Sequence, residues 1–157
     1  MKILLDEKIY KEIWNILDTK FKFNPSTDIN VIPFEFNNDY VCYKLNSVWN
    51  DNQERIVNDI FKKISDKDLY ALDWNHDCFE YNPNENIKAN YHYHDIDRDV
   101  EVYFPTYYPN GDYYFFISKN WDYGKLGHPW RNELYIFGKE LMDEFSKAEN
   151  ELNITRK

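Results

Sequence analysis

The stretch GKLGHPWRNELYIFG, residues 124–138, holds three of the four glycines in a chain of 157 residues. At its centre His128 precedes Pro129, and Trp130 follows. Proline pushes the residue before it into an extended conformation, and nearby glycines let the backbone bend. We therefore predict a structural turn rather than a catalytic loop, with His128 as a ligand or proton carrier near Trp121 as the alternative. The residues assigned to this turn are Gly124, Gly127, Pro129 and Trp130.

Strands are predicted on both sides of this turn, over residues 120–125 and 130–137. Gly138 then allows the second strand to pass into a C-terminal helix at about residues 139–152. The last four or five residues of the chain are expected to fray. The helix is indicated by an apolar stripe of Leu141, Met142, Phe145, Ala148 and Leu152.

Two further helices are predicted from apolar residues at helical spacing. An N-terminal helix covers about residues 6–21, where Ile9, Ile13, Leu17 and Phe21 recur every four positions. A second helix covers about residues 52–64. Its start is marked by Asp51 followed by Glu54, the spacing of a capping box.

The remaining segments favour strands. VIPFEF (31–36) and YVCYKL (40–45) are predicted to form a hairpin, and short strands are expected in 69–74 and 78–81. A third pair, 100–107 and 113–118, flanks Pro109-Asn110-Gly111-Asp112.

Asn110-Gly111 is typical of a tight hairpin turn, because this dipeptide tolerates positive φ angles. YYFFI (113–117) has apolar or aromatic side chains on both faces, which predicts a central strand covered on both sides. The order of elements indicates an α+β fold. We expect a mainly antiparallel sheet with about three helices packed largely on one face, in a single domain of residues 1–157.

Composition and charge narrow the classes of function. The chain has 11 Phe, 14 Tyr and 5 Trp, and this many rings excludes a disordered protein. Its 28 acidic and 19 basic residues give a net charge of -9, which argues against binding to nucleic acid or to an anionic membrane. A basic protein partner is compatible with this charge.

Asp6 and Glu7 interrupt the apolar residues of the N-terminus, so we expect neither a signal peptide nor a membrane-spanning segment there, and hence a cytoplasmic protein. Cys42 and Cys78 lack metal-site or redox spacing and are expected to be buried free thiols.

The richest polar segment is YHYHDIDRDVE, residues 91–101. In an extended strand, alternation would place one row of carboxylates on one face and the histidines on the other. We predict that this acidic row is either a solvated strand or a partner-binding surface. The row consists of Asp95, Asp97, Asp99 and Glu101. A calcium loop is excluded, because Val100 and Thr106 stand where an EF-hand needs Gly and Glu.

The four histidines raise the possibility of a metal site. His92 and His94 would lie side by side on one strand, and His76 or His128 could supply a third ligand. The pair resembles that of cupin barrels, but the Glu and Gly that should follow are missing. His76 with Asp73 and Asp77 could alternatively serve in acid/base chemistry, or simply form a turn. We predict no cofactor, and keep a divalent metal ion as the alternative.

Four short motifs together resemble a known family. They are Ala71-Leu72-Asp73-Trp74-Asn75-His76-Asp77, Pro109-Asn110-Gly111-Asp112-Tyr113, Gly127-His128-Pro129-Trp130 and Ile136-Phe137-Gly138. The chain thereby resembles an uncharacterised bacterial family, domain of unknown function 2716, over about residues 30–146, with the N-terminal helix outside the motifs. This resemblance implies a bacterial, cytoplasmic setting and assigns no site residue.

The leading functional expectation is a non-enzymatic, acidic protein that binds a basic protein partner, as an immunity protein binds a toxin. One alternative is a metal-assisted or acid/base enzyme that uses the histidines. Another is a small-ligand-binding domain with an aromatic pocket. The sequence leaves the oligomeric state open.

Overall fold

An eight-stranded sheet dominates the computed structural model, which describes all 157 residues. The strands are β1 (Lys2–Ile3), β2 (Tyr40–Leu45), β3 (Leu69–Asp73), β4 (Phe79–Tyr81), β5 (His92–Asp95), β6 (Val100–Tyr103), β7 (Tyr114–Ser118), β8 (Gly124–His128), β9 (Glu133–Phe137) and β10 (Ile154–Arg156). The helices are α1 (Glu7–Lys20), α2 (Asp51–Ile64), α3 (Lys139–Lys147) and α4 (Glu149–Leu152), with a 3-10 turn at Pro83–Glu85.

The sheet has the strand order β1-β4-β3-β7-β8-β9-β2-β10, while β5 and β6 pair only with each other. Every pairing is antiparallel. The predicted α+β class with a mainly antiparallel sheet is therefore confirmed. None of the helices combines the length and the apolar character that crossing a bilayer requires.

Strand β7 is central and buried on both faces, as its sequence predicts. Phe115 and Ile117 face one apolar cluster, and Phe116 faces the other. Helices α2, α3 and α4 cover the Phe116 face through residues such as Phe61 and Phe145. The opposite face is covered by α1, so the helices lie largely, but not wholly, on one side.

The second face is completed by an aromatic loop, which we define as residues 21–36. The predicted hairpin of 31–36 with 40–45 is wrong, because 31–36 forms no strand and β2 pairs with β9 and β10 instead. The rings of Phe23 and Phe34 pack on the sheet face, each within 6 Å of the Phe115 ring. Burial of these rings takes the place of strand pairing.

The predicted hairpin of 100–107 with 113–118 is also wrong. Strand β6 pairs with β5, and β7 pairs with β3 and β8. The segment between β6 and β7 passes the first turn of α2. There the Glu54 carboxylate accepts hydrogen bonds from the backbone N–H groups of Tyr107 and Tyr108 at 2.7 and 2.8 Å. Gly111 has the expected positive φ of 84°, but it lies in a loop rather than in a hairpin turn.

The stretch 124–138 forms β8 and β9, and the turn between them is Pro129–Asn132, so Trp130 lies in the turn rather than in a strand. Gly124 and Gly127 lie within β8, where they permit close approach instead of bending. A Cβ on Gly127 would lie 2.7 Å from Pro109 Cβ. Gly138 has a φ of 89° and joins β9 to α3, as predicted.

The predicted C-terminal helix begins and ends at the expected residues, but it is broken at Ala148 into α3 and α4. The expectation of fraying is wrong. Residues 154–156 form β10 on the edge of the sheet, and the Lys157 N–H donates to the Cys42 carbonyl at 2.9 Å. These backbone bonds to β2 hold the terminus in place.

Candidate functional site

A tight turn follows β3 and carries the first group of polar side chains. Oδ1 of Asp73 accepts a hydrogen bond from the Asn75 backbone N–H at 3.2 Å and lies 3.0 Å from Nδ1 of His76. The sequence predicts such a turn, in which an Asp side chain accepts a hydrogen bond from the nearby backbone. It also fixes the position of an imidazole whose side chain is 66% exposed.

A second carboxylate reaches this turn from the loop before β7. The pairing of β3 with β7 sets Asp73 opposite Tyr114, which brings Asp112 alongside the turn. Oδ2 of Asp112 accepts a hydrogen bond from Nδ2 of Asn75 at 2.8 Å and lies 3.7 Å from Nδ1 of His76. We call Asp73, His76 and Asp112 the Asp-His site.

The electrostatics of the Asp-His site are unusual because its two carboxylates are buried without a cationic partner. Asp73 and Asp112 are 4% and 5% exposed, and neither forms an ion pair with a lysine or arginine. Burial raises the pKa of Asp73 to about 6, and the nearby Asp112 acts in the same direction. The hydrogen bond to Asp73 raises the pKa of His76. The site can therefore hold a proton or a cation.

Sequence reasoning found part of this site. It predicts Asp73 and His76 as an acid/base candidate but misses Asp112, which the sequence places only in a turn. It also added Asp77, which instead bonds Arg98 through Oδ1 at 2.8 Å. Knowing that β3 pairs with β7 would have identified Asp112.

The second polar region is the acidic hairpin, which we define as residues 92–103. Its strands pair His92 with Tyr103 and His94 with Glu101, and residues 96–99 form the turn between them. The prediction of one extended strand with a row of carboxylates is therefore wrong. The chain reverses because Asp95 Oδ1 accepts the N–H groups of Asp97 and Arg98, at 3.1 and 3.2 Å.

The reversal places histidines and carboxylates on the same outer face of the acidic hairpin. His92 stacks on Tyr103 with ring centroids 5.3 Å apart. His94 lies between two carboxylates, with Nδ1 2.9 Å from Glu101 and Nε2 3.3 Å from Asp99. The inner face packs on the protein through buried Val102.

Arg98 connects the acidic hairpin to the turn that carries His76. Its Nε donates to Asp95 Oδ2 at 2.7 Å, and its Nη1 donates to Asp77 Oδ1 at 2.8 Å. The guanidinium lowers the pKa of Asp95. Asp95 is thus neutralised internally, whereas Asp97, Asp99 and Glu101 have no lysine or arginine partner.

The four histidines do not converge on one point. Only His76 belongs to a group of three side chains whose ligand atoms lie within 4.8 Å of one another. His128 is fully buried at the end of β8, with Nε2 3.2 Å from the Tyr113 hydroxyl and Nδ1 accepting the Arg131 N–H at 3.3 Å. Burial lowers the pKa of His128 to about 4, so it is a neutral structural residue at pH 7.

Two clefts are candidates for a small-ligand pocket. One of about 660 Å³ is mainly polar, with Ile64 and Tyr123 as its apolar residues. The other, of about 510 Å³, lies between α2 and the loops at 86–89 and 104–107, and is lined partly by Phe104 and Tyr107. Neither cleft is lined by tryptophan.

Comparison with known proteins places the chain in a family. The model of a family described as "Protein of unknown function (DUF2716)" matches residues 4–142, which include all four motifs and also α1. The chain is 37% identical over 75 residues to the uncharacterized protein YxiI of Bacillus subtilis (strain 168). That alignment covers 48% of this chain and 41% of the relative, so the chain matches less than half of the relative's length. No solved structure matches the chain. Because the family model covers most of the sequence, the chain belongs to the DUF2716 family.

Proposed function

We propose that this protein is a non-enzymatic binding protein that docks a basic protein partner on the acidic hairpin. One observation carries the proposal. At the tip of the hairpin, Ile96 is 85% exposed and lies between Asp95 and Asp97, near Asp99; neither Asp97 nor Asp99 has a lysine or arginine partner. An exposed apolar patch that is rimmed by charged residues is typical of an interaction surface.

The rest of the outer surface supports an interface of mixed character. Tyr91, Val100 and Tyr103 are also exposed on or beside the hairpin. Aromatic side chains supply much of the binding energy of protein interfaces, and charged residues at the rim determine how partners approach.

Charge favours a basic partner. The net charge of -9 steers cationic surfaces toward the protein. Asp97, Asp99 and Glu101 add a local negative field at the hairpin, because no lysine or arginine pairs with them. Neutralisation of a basic toxin in the cytoplasm, in the manner of an immunity protein, is the specific form of this proposal.

The test compares two variants of equal charge. The hairpin variant, D97N/D99N/E101Q, removes three negative charges, and the helix variant, E7Q/E12Q/D18N, removes three from the exposed face of α1. Asparagine suits position 99, where φ is 52°. Each immobilised protein is incubated with a bacterial extract at low salt, and retained proteins are identified by mass spectrometry. Each purified candidate is then titrated calorimetrically.

We expect a basic partner that the wild type and the helix variant retain and that the hairpin variant loses. Its affinity should fall roughly tenfold, equivalent to about 1.4 kcal/mol, in the hairpin variant. The difference should shrink as salt is raised, because salt screens exposed charges. A partner retained equally by both variants, or no partner at low salt, would contradict the proposal.

A metal-assisted or acid/base enzyme is the second candidate, and one observation favours it. His76 is exposed to solvent while buried Asp73 holds its ring through Nδ1, an arrangement that orients an imidazole for proton transfer. If this candidate is correct, His76→Ala abolishes an activity that the hairpin variant retains. Screening both variants against hydrolase substrates distinguishes the two functions.

A further inference from the structure

The Asp-His site has the donor set of a metal centre, independently of the hairpin and of the proposed partner. It offers one imidazole nitrogen and two carboxylate oxygens, all within 4.8 Å of one another. Nδ1 of His76 lies 3.0 Å from Oδ1 of Asp73 and 3.7 Å from Oδ2 of Asp112. Donors bonded at about 2.1 Å in a tetrahedral zinc site are about 3.4 Å apart. The two separations from His76 Nδ1 lie on either side of this value, so small movements would close the three side chains around one ion.

A second observation is the unbalanced charge of the two carboxylates. Asp73 and Asp112 are almost completely buried, yet neither has a lysine or arginine partner. Buried charges are normally paired or bound to a metal, because an isolated buried carboxylate is costly. Among basic side chains, only the imidazole of His76 contacts them, with Nδ1 within 4 Å of both.

Asn75 orients both carboxylates. Its backbone N–H donates to Asp73 Oδ1 at 3.2 Å, and its side-chain Nδ2 donates to Asp112 Oδ2 at 2.8 Å. Hydrogen bonds of this kind hold ligands in position around a metal ion. Asn75 is therefore a positioning residue for the site.

We propose that Asp73, His76 and Asp112 bind a first-row divalent metal ion of the Zn²⁺ or Mn²⁺ class. A mixed nitrogen and oxygen donor set suits these ions. The ion would join the turn after β3 to the loop before β7. Water would complete its coordination, because His76 lies at the surface.

The acidic hairpin supplies a matched control. His94 also lies between two carboxylates, but it contacts Asp99 through Nε2 and Glu101 through Nδ1. Because these nitrogens lie on opposite sides of the ring, the three side chains cannot converge on one ion. Both histidines are exposed, so His76→Ala and His94→Ala should both fold.

The experiment is calorimetric titration of untagged protein with Zn²⁺ and separately with Mn²⁺. We expect one saturable site per chain, weakened at least tenfold by His76→Ala or Asp112→Asn and unchanged by His94→Ala. Asn75→Ala should weaken it roughly tenfold. Metal should also raise the melting temperature of the wild type but not of His76→Ala.

Two results would overturn the proposal. One is the absence of saturable binding at millimolar concentrations of either ion. The other is binding that His76→Ala leaves intact, or that His94→Ala weakens to the same extent, since this would indicate adventitious surface histidines. His76→Ala keeps the test decisive if Asp112→Asn fails to fold. The hairpin variant retains the whole Asp-His site, so failure of partner binding and failure of metal binding are separable.

Discussion

The two faces of the central sheet are covered in different ways. On one face α2, α3 and α4 bury a mixture of aliphatic and aromatic side chains, and this face also encloses the charged residues Glu54 and Lys125. On the other face a single helix, α1, is joined by the aromatic loop, whose rings interlock with those of the sheet. A core layer can thus be built either from regular helices or from rings in a loop.

The difference extends to how each face treats polar groups. Glu54 on α2 receives two backbone N–H groups, whereas Nζ of Lys125 has no hydrogen-bond partner and lies 5.1 Å from the centre of the Phe116 ring. The loop-covered face instead places the Tyr113 hydroxyl at its edge, where it donates to the Ser26 carbonyl at 2.6 Å. The helix-covered face therefore encloses an amine that makes no hydrogen bond.

The largest expected effect tests whether the aromatic loop is a true core layer. The Phe23 ring packs against five others, including those of Tyr113 and Phe115, each with centroids 5.1 Å away. Phe23→Ala should lower the free energy of unfolding by about 3 kcal/mol, through lost burial and a cavity. Phe61→Ala, on α2, should cost a similar amount. Urea denaturation measures both.

Ile32→Ala is the control within the same loop. Ile32 is 69% exposed, so its removal should change the free energy of unfolding by no more than about 0.5 kcal/mol. If Phe23→Ala lowers the free energy of unfolding as little as Ile32→Ala does, the aromatic loop contributes little to stability. It would then not be a core layer equivalent to the helices on the other face.

The two faces also differ in how far the sequence predicts them. The sequence predicts helices α1 and α2 to within a residue or two, because their apolar residues repeat at helical spacing. The rings of Phe23 and Phe34 have no such repeat, because a loop imposes no period on the side chains it buries. Strand pairing was predicted only for neighbours in sequence. Pairs such as β2 with β9 depend on contacts about ninety residues apart.

The candidate site shows the same limit. Asp73 and His76 lie in one short motif and could be selected together, but Asp112 is contributed by a different loop. The prediction of an acidic row on one extended strand is wrong for a local reason. Asp95 caps a turn at the point where alternation assumed a continuous strand, and Asp99 adopts a left-handed conformation. Charge patterning alone does not distinguish a strand from a hairpin.

An intermediate effect tests the buried charge under α2. Burial lowers the pKa of Lys125 from 10.5 to about 7, while the charge of Glu54 opposes this shift. Between pH 7 and pH 10.5 Lys125 binds a proton in the unfolded chain more fully than in the folded protein, so the free energy of unfolding rises with pH. We expect a gain of about 1.5 kcal/mol from pH 7 to 8.5, measured by urea denaturation at each pH.

Lys125→Met isolates this contribution. The variant retains the buried stem, and because Nζ makes no hydrogen bond, the substitution should be close to neutral at pH 7. In this variant the rise of the free energy of unfolding between pH 7 and 8.5 should disappear. Higher pH is avoided, because burial raises the pKa of Cys42 to about 11 and of Cys78 to about 12, and both thiols then act in the opposite direction. An unchanged slope in Lys125→Met would show that other groups cause it.

The smallest effect concerns the first turn of α2, where the structure shifts the capping box by one residue. Asn50 Oδ1 accepts the N–H groups of Asn52 and Gln53 at 3.0 and 3.1 Å, and Gln53 Oε1 accepts the Asn50 N–H at 3.0 Å. The predicted box of Asp51 with Glu54 is therefore wrong. Asn50→Ala should cost about 1 kcal/mol.

Asp51→Ala distinguishes the two registers of this helix start. With Asn50 as the cap, loss of Asp51 should cost no more than about 0.5 kcal/mol, from its favourable position in the first turn. If Asp51 were the cap, Asp51→Ala would cost more than Asn50→Ala. The Glu54 side chain would then accept a hydrogen bond from the Asp51 N–H at the surface. Glu54 could not then accept the N–H groups of Tyr107 and Tyr108. Which of Asn50→Ala and Asp51→Ala lowers the stability more therefore tests whether the Asn50 cap leaves Glu54 free to be buried on the helix-covered face.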